Sequence, residues 1–68
     1  MLKVFGNNVR RLRLDAQISQ EALAKRCTKY KNQITHIEDG TANVTLAMVY
    51  VLASALEVDP GTLLQEPG

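Results

Sequence analysis

The sequence predicts an all-α fold, a compact bundle of five short helices, and three observations support this. The 68 residues make one small domain, close to the lower size limit for folding alone. Hydrophobic residues make up 46% of the chain and aromatic residues only 4%, so the core is aliphatic and suits packed helices better than a sheet. Apolar residues recur at helical spacing, with capping residues between the segments. We therefore treat residues 1–68 as a single domain.

The first helix is predicted from Leu2 to about Ala16. Phe5, Val9 and Leu12 follow one another at intervals of four and three residues, which places them on one buried stripe. Gly6 lies inside this segment and lowers its helix propensity slightly. Because glycine has no side chain, we expect this position to allow close packing.

The next two helices are joined by a tight turn. Ser19 is a good N-cap for a helix over residues 20–27, the segment 28–30 interrupts the apolar pattern, and a third helix follows from about Lys31 to Asp39. Gly40 is suited to the left-handed conformation that ends a helix. Helices this short are unstable alone in water, so their apolar faces must pack on each other and on the rest of the chain.

Two more helices complete the predicted bundle. Thr45 caps a fourth helix from Leu46 to about Leu56, and Asp59 caps a fifth helix that starts with Pro60 and ends near Leu64. The fourth helix is expected to direct these residues inward: Leu46, Val49, Leu52, Ala53 and Leu56.

A second apolar stripe remains on the fourth helix. It consists of Val44, Met48, Val51 and Ala55, at i, i+4, i+7 and i+11. A small monomer has little reason to expose such a stripe, so we expect a two-fold homodimer contact there, with Tyr50 or the fifth helix as further candidates. The alternative is that the stripe packs under the first or fifth helix.

Charge is distributed unevenly along the chain. The net charge is +1, yet residues 1–40 contain eight basic and four acidic side chains, whereas residues 41–68 contain three acidic ones and none that is basic. A basic half beside an acidic half is compatible with a polyanionic partner. On charge alone, a chance split is the more ordinary explanation for a small domain, because the overall pI is unremarkable.

Several function classes are disfavoured by composition. One His and one Cys, without a carboxylate pair or a cluster at metal-ligand spacing, do not suggest an enzyme, a metal site or a cofactor. A single Cys cannot form an internal disulfide and suits a reducing compartment. No apolar run approaches the length of a membrane span, so we expect a cytoplasmic protein.

The outer face of the predicted third helix is polar. Its side chains are Lys31, Asn32, Gln33, Thr35 and His36. All of these side chains can donate or accept hydrogen bonds. An α-helix fits the major groove of double-stranded DNA, so such side chains could bond base edges there.

The chain from Phe5 to Leu64 resembles the helix-turn-helix domain of the lambdoid phage repressor and Cro family, also called the XRE family. The residues that support this resemblance are Val9, Arg10, Arg13, Ser19, Gln20, Glu21, Leu23, Ala24, Ile34, Ile37, Glu38, Gly40, Leu46, Val49, Leu52, Ala53, Leu56 and Val58. The resemblance implies a sequence-specific regulator that binds double-stranded DNA as a dimer on a palindromic operator. A small phage-type repressor or a restriction–modification controller fits best, with no small-molecule effector.

The resemblance also implies roles for particular residues. The positions that contact bases are Lys31, Asn32, Thr35 and His36. The positions that contact the sugar-phosphate backbone are Gln20, Tyr30, Gln33, Arg10, Arg11, Thr41 and Asn43. Arg13 and Glu38 match an ion pair that supports the fold.

Five positions depart from the family pattern. Thr28 and Gln17 replace common turn glycines, Lys29 replaces an apolar residue, Tyr30 replaces a capping Ser or Thr, and Val44 replaces a common Pro. These departures leave the start of the third helix uncertain by about a residue. They also leave two roles open for Tyr30, either over the sugar-phosphate backbone or covering the turn.

One rival function belongs to a different class. A protein-interaction module, or an antitoxin-like subunit, could keep the same fold and use the same surface to bind a protein, because a fold does not fix a function. Salt dependence distinguishes the two, since DNA binding through phosphates weakens linearly on a log–log plot of affinity against salt.

Overall fold

The computed structural model describes residues 2–66, with side chains described from Lys3 onward. Its helices are α1 (Leu2–Asp15), α2 (Gln20–Arg26), α3 (Ile34–Asp39), α4 (Leu46–Leu56) and α5 (Pro60–Leu64), with a short 3-10 turn over Thr28–Tyr30 between α2 and α3. Residues 2–66 contain no strand. The predicted all-α bundle of five helices is therefore confirmed.

None of the helices in residues 2–66 is both long enough and apolar enough to cross a membrane.

Helix α1 is the central element of the core. Its Phe5 and Val9 are fully buried, together with Leu23 of α2, Leu52 of α4 and Leu63 of α5. Every one of the five helices contributes at least one buried side chain. Burial of this shared aliphatic core is the main favourable contribution to folding, because no single helix here is long enough to be stable alone.

Gly6 lets α1 and α3 approach each other closely. A methyl group on Gly6 would collide with the carbonyl oxygen of Ile37 and lie only 3.0 Å from the carbonyl oxygen of Glu38. The backbone of α1 therefore touches the backbone of α3 with no side chain between them. The slight loss of helix propensity at Gly6 is offset by this contact.

Asn8 fastens the end of α5 to α1. Its side-chain amide is buried and donates to the carbonyl oxygens of Leu63 at 2.8 Å and Gln65 at 2.7 Å. These two carbonyl groups lie at the end of α5 and lack partners within that helix. Nothing in the sequence pattern indicates this role, because an Asn in an amphipathic helix is usually exposed.

The predicted caps form at α2 and α4. The hydroxyl of Ser19 accepts from the backbone N–H of Ala22 at 3.0 Å, and that of Thr45 accepts from Met48 at 3.2 Å. At the C-terminal end of α3, Gly40 adopts the left-handed conformation with φ of +79°. Gln17 and Glu57 adopt the same conformation after α1 and α4, at a small cost because they carry a Cβ atom.

Two predictions about α4 were wrong. Leu46 is 69% exposed rather than inward, and Met48 is 2% exposed rather than part of the outward stripe. Because α4 is apolar on nearly every side, the spacing of its residues could not fix which stripe faces the core. Leu46 lies in the first turn, outside the packed layer, while the flexible Met48 side chain reaches into it.

The other stripe residues occupy an intermediate position. Val44, Val51 and Ala55 pack against the core and keep part of their surface in solvent. The stripe is therefore partly packed inside the domain, as the alternative interpretation held, and partly available for another contact.

Candidate nucleic-acid interface

The segment of residues 28–40 contains the candidate base-contacting side chains, and its helix begins later than predicted. α3 starts at Ile34 instead of Lys31. The preceding backbone hydrogen bonds span three residues, as in a 3-10 helix. The N–H of Lys31 donates to the carbonyl oxygen of Thr28 at 3.4 Å, and that of Gln33 to the carbonyl oxygen of Tyr30 at 2.9 Å. The four-residue bonding of an α-helix begins with Ile37 N–H and the Gln33 carbonyl at 2.8 Å. Lys31 and Asn32 therefore lie in a tight turn before α3.

Tyr30 anchors this turn in the core. Its side chain is only 8% exposed and belongs to the buried cluster, and the Lys29 ammonium lies 5.7 Å from the centroid of its ring. Of the two roles left open for Tyr30, the structure shows the one in which the ring covers the turn. Its inclusion among the sugar-phosphate contacts does not fit this burial. A buried ring cannot lie over a DNA backbone, and Tyr30 does not cap α3, because that helix begins at Ile34 and its N-cap position is Gln33.

The polar side of the segment faces solvent. Lys31, Asn32, Thr35 and His36 are all exposed, while Ile34 and Ile37 between them are buried. The four residues expected to contact bases are therefore all exposed within one short segment. Their side chains supply hydrogen-bond donors and acceptors of the kinds that recognise base edges.

The loop after α3 is held against the end of that helix. The hydroxyl of Thr41 donates to the carbonyl oxygen of His36 at 3.3 Å and lies 3.3 Å from the Nδ1 atom of the His36 ring. Asn43, two residues further along, is exposed, as is Gln33 before α3. These three polar side chains, Gln33, Thr41 and Asn43, flank the exposed face at its two ends.

A buried ion pair supports the segment from below. The Arg13 guanidinium donates to both carboxylate oxygens of Glu38, at 2.6 Å from Nε and 3.0 Å from Nη2, and also to the carbonyl oxygen of Ile18 at 3.0 Å. Both residues of the pair are only 8% exposed. The hydrogen bonding that Arg13 donates to Glu38 raises the pKa of Arg13, against the opposing effect of burial. The predicted pair is present, and it joins α1, the turn before α2, and α3.

Gln20 links this ion pair to the exposed face. Its side-chain amide nitrogen donates to Oε1 of Glu38 at 3.1 Å, and its carbonyl oxygen accepts from the Thr35 hydroxyl at 3.3 Å. Gln20 is half-buried at the start of α2. Sequence reasoning identified Gln20, Glu38 and Thr35 separately but missed that they are connected. Their separation along the chain gives no signal of the contact.

The two arginines of α1 that were expected to contact the DNA backbone are both exposed. Arg11 lies 3.5 Å from the side-chain oxygen of Asn8, on the side of α1 that packs against α5. This contact places the Arg11 guanidinium beside Asn8. Arg10 is exposed without such a contact in the described residues.

A separate open groove lies between α2 and α4. Its volume is about 620 Å³, and its lining consists of Arg26, Tyr50, Val51, Ser54, Ala55 and Glu57. The Arg26 guanidinium donates to the carbonyl oxygen of Ala55 at 3.1 Å. Tyr50 and Leu46, one turn apart on α4, are both largely exposed. This groove differs in composition from the polar face of residues 31–36, because its lining includes the apolar side chains of Val51 and Ala55, which we call the groove floor.

Cys27 is a buried core residue. Burial raises the pKa of its thiol, although the nearby Arg26 charge acts in the opposite direction. A neutral, buried thiol is a poor nucleophile. Cys27 therefore contributes packing to the end of α2 and offers no reactive group.

Comparisons with known proteins agree with this geometry. Residues 4–66 match a family model described as a helix-turn-helix domain. The chain is 42% identical over 62 residues to the control protein C.BamHI of Bacillus amyloliquefaciens, covering 90% of this chain and 76% of that protein. Its fold is similar to the crystal structure of the restriction-modification controller protein C.AhdI from Aeromonas hydrophila, with a TM-score of 0.84 and 35% identity. That match covers 91% of this chain and 94% of the other.

Proposed function

The chain belongs to the family of helix-turn-helix domains and is a DNA-binding regulator of the controller type, and from that premise we propose how it binds. It binds a palindromic operator in double-stranded DNA as a homodimer. Each protomer places α3 and the turn before it in the major groove.

One observation supports this proposal above the others: the four hydrogen-bonding side chains Lys31, Asn32, Thr35 and His36 are all exposed, while Ile34 and Ile37 of the same segment are buried. Lys31 donates to the O6 and N7 atoms of guanine, and Asn32 forms two hydrogen bonds with adenine. Thr35 and His36, about one turn further on, contact the next bases. The buried Arg13–Glu38 pair fixes the segment in place.

The residues around this face contact phosphates. Gln33 and Asn43 are exposed beside it and can donate hydrogen bonds to phosphate oxygens. Thr41 is exposed as well, and its hydroxyl must leave the carbonyl oxygen of His36 before it can donate to a phosphate. Gln20 retains a second amide hydrogen after its bond to Glu38, and this hydrogen donates to a phosphate. Arg10 and Arg11 contribute mainly long-range attraction, since Arg11 is directed toward Asn8.

The dimer forms through the groove beside α4, and its occupant is a second copy of this chain. A two-fold contact presents the same patch from both sides. The groove carries a positive Arg26 and a negative Glu57 beside its apolar floor. In a two-fold contact, the Arg26 of each copy can therefore face the Glu57 of the other. Val51, Ala55 and Tyr50 supply the apolar contact of the groove, while the buried Met48 takes no direct part.

Light scattering tests the dimer. Val51→Asp places a charge on the groove floor and is expected to reduce the molecular mass in solution from that of a dimer to that of a monomer, because the charge loses water on association. Leu14→Asp is the matched control, since Leu14 is an exposed apolar residue on α1 outside the groove. An unchanged mass for Val51→Asp at micromolar concentration would remove this groove from the proposal.

Selection from a random pool of DNA duplexes tests the whole function. The unmodified chain is expected to enrich one sequence with two-fold symmetry. The affinity for that sequence should fall linearly with salt on a log–log plot, because phosphate contacts release counterions. A pool that remains random, or binding that does not depend on salt, would favour the protein-interaction module instead.

A further inference from the structure

We infer that Thr35 contacts its base as a hydrogen-bond acceptor and therefore selects a base with an amino group at its edge, cytosine or adenine. This inference rests on the proposed function, because α3 must enter the major groove. It adds the direction of one hydrogen bond, which is fixed inside the protein by Gln20 and Glu38 before any DNA is bound.

The direction originates at the buried ion pair. Both oxygens of the Glu38 carboxylate accept hydrogen bonds from the Arg13 guanidinium, so this group acts only as an acceptor here. The group of Gln20 that lies 3.1 Å from Oε1 of Glu38 must then be the amino group, Nε2. The opposite orientation of the amide would place its carbonyl oxygen against a carboxylate, with two acceptors facing each other.

The orientation of Gln20 determines the orientation of the Thr35 hydroxyl. With its nitrogen toward Glu38, Gln20 directs its carbonyl oxygen at Thr35 Oγ1, 3.3 Å away. A carbonyl oxygen only accepts, so the single hydroxyl hydrogen of Thr35 points to Gln20. Across residues 3–66 the structure gives this hydroxyl no other hydrogen-bond partner. Toward solvent, Thr35 then presents an oxygen lone pair and a methyl group.

The consequence is a preference among bases. In the major groove, cytosine presents the N4 amino group and adenine presents the N6 amino group, whereas guanine O6 and thymine O4 accept. A free Thr hydroxyl rotates and serves either kind of base. With its hydrogen held by Gln20, Thr35 favours an amino group and opposes a keto group. Thr35 is thus the residue that contacts the base, and Gln20 is a positioning residue.

The experiment compares base preferences at every operator position. Dissociation constants are measured by fluorescence anisotropy for the selected operator and for all its single-base variants, with the unmodified chain, Thr35→Val and Gln20→Met. The unmodified chain is expected to prefer an amino base over a keto base about 5- to 100-fold at one position of each half-site. Thr35→Val, which keeps the shape of the side chain, should abolish the preference there and nowhere else.

Gln20→Met provides the decisive arm, because it keeps the length of the side chain and releases the Thr35 hydroxyl. The amino and keto bases should become nearly equal at the position identified by Thr35→Val, in addition to any uniform loss of affinity from the missing phosphate contact. Gln65→Met makes the same substitution at an exposed glutamine after α5, and should leave the whole profile unchanged. Thermal melting of each variant confirms that it is folded.

Three results would overturn the inference alone: a Gln20→Met profile that keeps the full amino preference, a keto preference at the position that Thr35→Val affects, or a Thr35→Val profile identical to that of the unmodified chain. A chain that prefers no sequence at all would overturn the proposed function and this inference with it, and that result appears before any variant is made.

Discussion

The two halves of the segment 28–40 differ in how they are held. The second half, Ile34–Gly40, is a regular helix with two buried isoleucines, a buried ion pair and a glycine at its end. The first half, residues 28–33, consists of tight turns fixed by one buried ring, that of Tyr30. The candidate base contacts are divided between them, with Lys31 and Asn32 on the first half and Thr35 and His36 on the second.

This difference shows where the geometry of the surface originates. The second half has a fixed place because α1 supports it directly, through Gly6 and through Arg13. The position of the first half depends on that of the second half, because its turns must connect α2 to α3, whose position is already set by α1. We therefore expect substitutions under the second half to affect stability most, and substitutions of the exposed Lys31 and Asn32 on the first half to affect DNA binding more than stability.

The largest effect is expected from Glu38→Ala, which leaves Arg13 buried without its partner. Breaking a buried pair from one side costs about 3–5 kcal/mol. Asp39→Ala is the control, because the neighbouring Asp39 is exposed and its removal should change stability by less than about 0.5 kcal/mol. Urea denaturation measures both variants. Equal midpoints would show that the ion pair does not support α3.

A smaller loss is expected from Gly6→Ala, which drives a methyl group into the carbonyl oxygen of Ile37. The two helices must separate slightly to make room for the methyl group, and overpacking of this kind costs about 1–3 kcal/mol of stability. Gly61→Ala is the control, because a methyl group at Gly61 meets no atom within 4 Å; the gain in helix propensity there is at most about 1 kcal/mol. Thermal melting that ranks the two variants in the opposite order would contradict the close contact between α1 and α3.

The smallest effect is expected from Tyr30→Phe, on the first half of the segment. The ring stays buried, so the change in stability should be below about 1.5 kcal/mol, and operator affinity should be unchanged. A large loss of affinity in a variant that melts normally would show that the Tyr30 hydroxyl bonds a phosphate. That result would restore the sugar-phosphate role that burial of the ring disfavours.

The sequence was sufficient where local chemistry decides the structure. Ser19, Thr45 and Gly40 define helix ends because a side-chain oxygen or a left-handed glycine is needed there. Phe5 and Val9 define the buried face of α1 by their spacing. The resemblance supplied the Arg13–Glu38 pair, which spacing alone does not reveal, because its partners are far apart along the chain.

The sequence was insufficient where tertiary packing decides between equal local choices. α4 is apolar around most of its surface, so Leu46 and Met48 were assigned to the wrong sides. The conformation of the turn before α3 depends on whether Tyr30 enters the core. The residues next to Tyr30 in the sequence do not determine whether its ring is buried or exposed. The Glu38–Gln20–Thr35 connection joins α2 to α3, and no pattern within either helix predicts it.

The most direct test of the central claim is the binding of Asn32→Ala to the selected operator and to a scrambled duplex of the same composition. If residues 31–36 form the base-contacting face, operator affinity should fall about 5- to 100-fold while affinity for the scrambled duplex stays unchanged. Asn7→Ala, the same substitution at an exposed position of α1, should alter neither affinity. Operator affinity that survives Asn32→Ala, or affinities that fall equally for both duplexes, would contradict the claim that this face recognises bases.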